Sequence, residues 1–114
     1  MIDISKSDAS GRHGRATAAM FVREELNRIL DIYGRMVAAG EWRDYAIDAD
    51  RDRAVFSIFR RASEGALYRL VKMPALASRQ GAYMLLGMDG RILKRGHSLG
   101  ACLAVLERKA LRLA

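Results

Sequence analysis

The chain has 114 residues, 51% of them apolar and 29% charged, with a formal net charge of +7. That is one domain with enough apolar side chain for a core. A lone Cys and two His exclude an internal disulfide and the cysteine–histidine zinc modules. There is no apolar run of about 18 residues and no uninterrupted apolar stretch near the N-terminus, so a reducing cytoplasmic setting without a membrane partner is expected. The charge is uneven: residues 1–52 carry eight basic and ten acidic side chains, a net of −2, whereas residues 53–114 carry twelve and three, a net of +9. Such a split can build a basic face that attracts polyanions.

Residues 1–17 are rich in Ser, Gly, Asp and basic side chains without any period, and read as a disordered tail before a single domain over 18–114. Residues 18–22 read equally as a short edge strand or a helix lead-in. A helix is expected over Arg23–Ala39, where Leu26, Ile29, Leu30, Tyr33, Met36 and Val37 form an apolar stripe and Leu30 is the expected core position. Glu24 and Glu25 suit its first turn and Gly40 its C-terminal cap. Gly34 in its interior costs about 1 kcal/mol relative to Ala; either close approach of a strand or a second helix accounts for it, or it is an unexplained cost.

After Gly40 the period becomes two. Strands are expected over Asp44–Ala49, Arg53–Arg60 and Leu67–Met73, the first two joined by a hairpin at Asp50-Arg51-Asp52 and the third stopped by Pro74. Val55, Ser57 and Phe59 share one face, and Ala54, Phe56, Ile58 and Arg60 the other. Both are rather apolar, which predicts partial cover on the second side. After a connector over Ala75–Gln80, Ala82–Gly87 and Arg91–Arg95 read as a second hairpin around Met88-Asp89-Gly90. Ser98 is the expected N-cap of a helix running to about Leu113, with Leu99, Cys102, Leu103, Leu106 and Ala110 facing the core. The fold class is therefore α+β, a single antiparallel sheet of about five strands with two helices packed on it.

The block from Glu25 to Leu30 and the block from Tyr33 through Trp42 to Asp48, continued by Asp52–Ser57, Phe59–Arg61, Leu67–Arg69, Gln80–Tyr83 and Ile92–His97, resemble a family of short uncharacterised alphaproteobacterial proteins, a domain of unknown function. The likeness covers roughly residues 21–110. It implies lineage and a bacterial cytoplasmic setting, and carries no activity, ligand or catalytic residue.

No catalytic set emerges. A hydrolytic triad needs a nucleophile, a base and an orienting group in reach. His13 lies in the tail, and Cys102 falls on an apolar stripe five residues after His97, off the same helical face. Asp48, Asp50 and Asp52 have the opening spacing of a calcium loop but lack its glycine and closing Glu. No metal, no cofactor and a non-catalytic role are expected. Two functions stay open. The first is weak, non-sequence-specific binding of nucleic acid or another polyanion through Arg60, Arg61, Arg69, Lys72, Arg79, Arg91, Lys94, Arg95 and His97. The helix–strand–helix outline resembles double-stranded RNA-binding domains, from which the second hairpin departs. The second is a protein-interaction or homodimerising module, with Trp42, Tyr45, Tyr68 and Tyr83 as interface candidates.

Overall fold

The computed structural model describes residues 19–61 and 64–113; the expected tail lies outside the described residues. Residues 19–22 form no strand. They lead into helix α1, Arg23–Ala38, and the Ala19 amide donates to the Asp50 carbonyl at 3.0 Å. Val22 has no side-chain oxygen to cap the helix, so the Glu25 carboxylate accepts from the Val22 amide at 2.9 Å. Gly40, at φ +80°, closes the C-terminus, and its amide donates to the Val37 carbonyl.

Five strands follow: β1 Asp44–Ala49, β2 Ala54–Phe59, β3 Tyr68–Lys72, β4 Tyr83–Leu86 and β5 Ile92–Gly96. A 3-10 turn at Pro74–Leu76 precedes β4, and helix α2, Leu99–Leu113, follows β5. The Ser98 hydroxyl accepts from the Ala101 amide at 3.2 Å, the expected N-cap. Each strand pairs antiparallel with its neighbour in sequence, so the order is β1-β2-β3-β4-β5. A register shift at Leu85/Leu86 lets Leu93 turn toward the core.

Both helices pack on one face of the sheet. That face carries Ala54, Phe56 and Ile58 of β2, Tyr68 and Leu70 of β3 and Leu85 of β4, all buried against Ile29, Ile32 and Met36 of α1 and Leu99, Cys102, Leu103, Leu106 and Ala110 of α2. The two helices are linked by Arg35 and Glu107 at 2.7 Å. Cys102 is fully buried, and burial pushes its thiol up.

The expectation for Leu30 needs correction, and two others are decided. Leu30 is half-buried, while Ile29 is 0% exposed and Ile32 and Met36 are buried. The contact line of α1 runs one step round the helix from Leu30 and Val37, because its width is set by the sheet below rather than by every apolar residue within reach. Gly34 has no neighbour within 4 Å of where a Cβ would stand, so no close approach explains it. The second side of the sheet carries neither helix, yet Ser57 and Val71 on it are 6% and 2% exposed, in keeping with partial cover there.

Candidate functional site

The face of the sheet turned away from the helices is built by the other half of the alternation. Strand register places Asp48, Val55, Val71, Met84 and Arg95 in one transverse row, one residue from each of the five strands. Beside it runs a second row, Ala46, Ser57, Arg69 and Leu86. Val71 is 2% exposed without belonging to the helix-side core. Val55, Met84 and Leu86 are half-buried. The Arg95 guanidinium lies against Met84, with Nη2 3.0 Å from Sδ, which fixes both side chains on this face. Asp48, Val55, Ser57, Arg69, Val71 and Leu86 line a hollow of ≈ 400 Å³ here, closed at one end by Ala49, Asp50 and Arg53. The Asp50 carboxylate accepts from the Asp52 and Arg53 amides at 2.9 Å each, and these bonds hold it below the usual carboxylate range. Its acidity serves the hairpin turn. Among the described residues no group of His, Cys, Asp and Glu could hold a metal ion.

The basic candidates do not form one patch. Arg60 and Arg61 leave the end of β2. Lys94 and Arg95 lie on β5, three strands or about 14 Å across the sheet. Lys94 shares the helix-side register of Leu85, whereas Arg95 and Arg69 belong to the open face. Arg91 pairs with Asp89 at 3.1 Å within the second hairpin. Arg79 follows the 3-10 turn at the opposite end of the sheet, where the His97 imidazole Nδ1 is 3.0 Å from the Ala77 carbonyl oxygen.

Lys72 is a correction to the polyanion set. Its ammonium donates to Glu25 Oε1 at 2.8 Å and to the Met20 carbonyl at 3.0 Å, with Lys72 and Glu25 side chains only 14% and 13% exposed. The Tyr83 hydroxyl donates to the second Glu25 oxygen. Burial pushes the Glu25 carboxyl up, but the bonds from Lys72, Tyr83 and the Val22 amide outweigh it and leave it below its ordinary value. Burial, reinforced by the bond to Glu25, raises the Tyr83 phenol to about 12. This cluster pins the start of α1 to the sheet and leaves Lys72 no free charge to offer a phosphate.

The aromatic candidates divide similarly. Trp42 is 4% exposed and Tyr68 is also buried; both belong to the core, their ring centroids 6.2 Å apart. Neither can form an interface. Each anchors a helix-side cluster that also holds Tyr33 and Phe56. Tyr83 is half-buried in the Glu25 cluster. Tyr45 is 45% exposed on edge strand β1, stacked on Phe56 at 4.9 Å.

A second hollow, of ≈ 450 Å³, is lined by Val37, Gly40, Trp42, Arg43, Arg60 and Arg61 at the C-terminal end of α1. Arg60 pairs there with Glu41 at 3.5 Å. Sequence reasoning did not include Arg43, whose charge meets that of Arg60 and Arg61 only through the β1–β2 pairing. The open-face row escaped it as well: the alternation in β2 and β3 was readable, but aligning five strands requires their order.

Among the described residues no helix is long and apolar enough to cross a membrane. No curated protein matches the chain, and no solved structure does. A family model described as protein of unknown function, DUF2794, matches residues 19–103, which takes in α1, the whole sheet and the first turn of α2. The chain belongs to the DUF2794 family, whose members are proteins of unknown function.

Proposed function

We propose that this domain is a non-catalytic protein-interaction module whose working surface is the open face of the sheet. One observation carries the reading: a five-stranded sheet with both helices on one side leaves Val55, Met84 and Leu86 half-buried on the other, over a buried Val71. Apolar side chains set among Asp48, Arg69 and Arg95 have the mixed apolar and charged make-up of a protein interface. Its setting is the cytoplasm of an alphaproteobacterium, as the sequence resemblance implies.

The reading is tested with a photo-reactive phenylalanine analogue placed at Met84 of the full 114-residue chain in cells, and at Lys109 on α2 as control. Position 84 should give a discrete adduct that Leu86→Lys abolishes in a chain that still folds by circular dichroism. No adduct, or the same adducts from position 109, would refute the role of this face. Polyanion binding is the second reading, favoured by Arg43, Arg60 and Arg61 around one hollow. It predicts nucleic acid on the purified chain, removed by nuclease or raised salt and lost on charge reversal at Arg60 and Arg61.

A further inference from the structure

We infer that the occupant of the open face is a second copy of this chain, stacked sheet on sheet about a two-fold axis parallel to the strands and passing over β3. The inference rests on the reading of that face as an interface and names its partner.

The charge pattern of the transverse row carries it. The row begins with Asp48 on edge strand β1 and ends with Arg95 on edge strand β5, with Val55, Val71 and Met84 between them. A two-fold axis along the strands reverses strand order in the facing copy. Asp48 then meets Arg95 of the second copy and Val55 meets Met84, while Val71, 2% exposed, lies beneath the contact on the axis. Each charged pair occurs twice, as an isologous interface requires. Stacked sheets lie about 10 Å apart with interdigitating side chains, a spacing these residues can fill. Turning the axis across the strands instead sets Asp48 against the β1 carboxylates of the second copy and Arg95 against its own counterpart, so charge selects one orientation. Among the described residues Asp48 has no ion pair, and the hydrogen bond of the Arg95 side chain goes to the neutral Met84 sulfur.

The same axis has one unfavourable consequence that makes it sharply testable. Arg69, the β3 residue of the adjoining row, faces its own copy. Removing that charge should strengthen self-association, whereas for a partner that supplies an acid to this face the same change weakens binding.

The test is sedimentation equilibrium of the full chain at low and moderate salt, with folding of every variant checked by circular dichroism. Wild type should be a concentration-dependent dimer. Asp48→Arg and Arg95→Asp should each weaken it on the order of tenfold or more, since each places like charges together at two symmetric positions. The double reversal should restore it, and Arg69→Gln should tighten it. A monomer at all accessible concentrations overturns the inference, as does a dimer indifferent to both reversals. A monomer whose position 84 still gives a discrete adduct with a different protein overturns self-pairing and leaves the interface reading intact. A monomer with no such adduct overturns both.

Discussion

The same substitution, Gly to Ala, should act in opposite directions at two positions, and the structure gives the size of each effect. Gly81 has φ +101° and ends the connector before β4, its amide donating to the Leu76 carbonyl at 2.9 Å. A Cβ there would meet the backbone carbonyl of Gly96 and stand 2.6 Å from the His97 nitrogen. The backbone strain costs roughly 1–3 kcal/mol, and displacing main chain rather than a flexible side chain adds roughly 1–3 kcal/mol. Gly81→Ala should therefore destabilise the domain by about 4 kcal/mol. Gly34 lies within α1, solvent-exposed, with nothing within 4 Å of a new Cβ. Gly34→Ala should stabilise by about 1 kcal/mol, the helical advantage of Ala over Gly. Urea unfolding followed by circular dichroism measures both, and the variants should differ from each other by about 5 kcal/mol. Gly81→Ala within about 0.5 kcal/mol of wild type would refute the close approach of the connector to β5. A destabilising Gly34→Ala would show that α1 packs against something on its outer side.

Ile29→Ala should cost roughly 2–5 kcal/mol, the range for a fully buried aliphatic, and more than Leu30→Ala; the reverse order in urea melts would put a different face of α1 on the sheet. The Glu25 cluster predicts acid sensitivity. Its carboxyl is held below the ordinary value of 4.5 in the folded chain, so its contribution is present above that pH and is lost as pH falls through the lower folded value. The stability gap between wild type and Glu25→Gln should narrow as pH drops below about 4.5; a gap independent of pH would mean that the carboxylate form is not what holds α1 to β3 and β4.

The elements were largely legible because each rests on local chemistry. The shift from a helical to an alternating period after Gly40, the Asp89-Gly90 turn and the Ser98 cap all lie within a few residues of the structure they specify. Period alone does not single out Ile32, because the apolar positions of α1 span more of its circumference than the sheet covers. The Glu25–Lys72 bond joins residues 47 apart, and no local signal distinguishes such a lysine from a solvated one. Trp42 and Tyr68 are interface candidates on the sequence; the aromatic cluster that makes them core exists only in three dimensions. In β2 both faces are apolar, so composition could not say which one the helices take. That choice depends on the connections from α1 and into α2.

The unbroken β1-to-β5 order also bears on how the chain reaches its native state. Every strand finds its partner across a neighbouring turn, so the sheet can grow one hairpin at a time with small loops to close, which favours rapid folding for a β-rich domain. The distant closures, Glu25 with Lys72 and Arg35 with Glu107, belong to the docking of α1. During synthesis α1 emerges before the sheet, so that helix must wait for strands made later before its apolar side has anything to cover. Until then, Ile29, Ile32 and Met36 are the surface most in need of protection during synthesis.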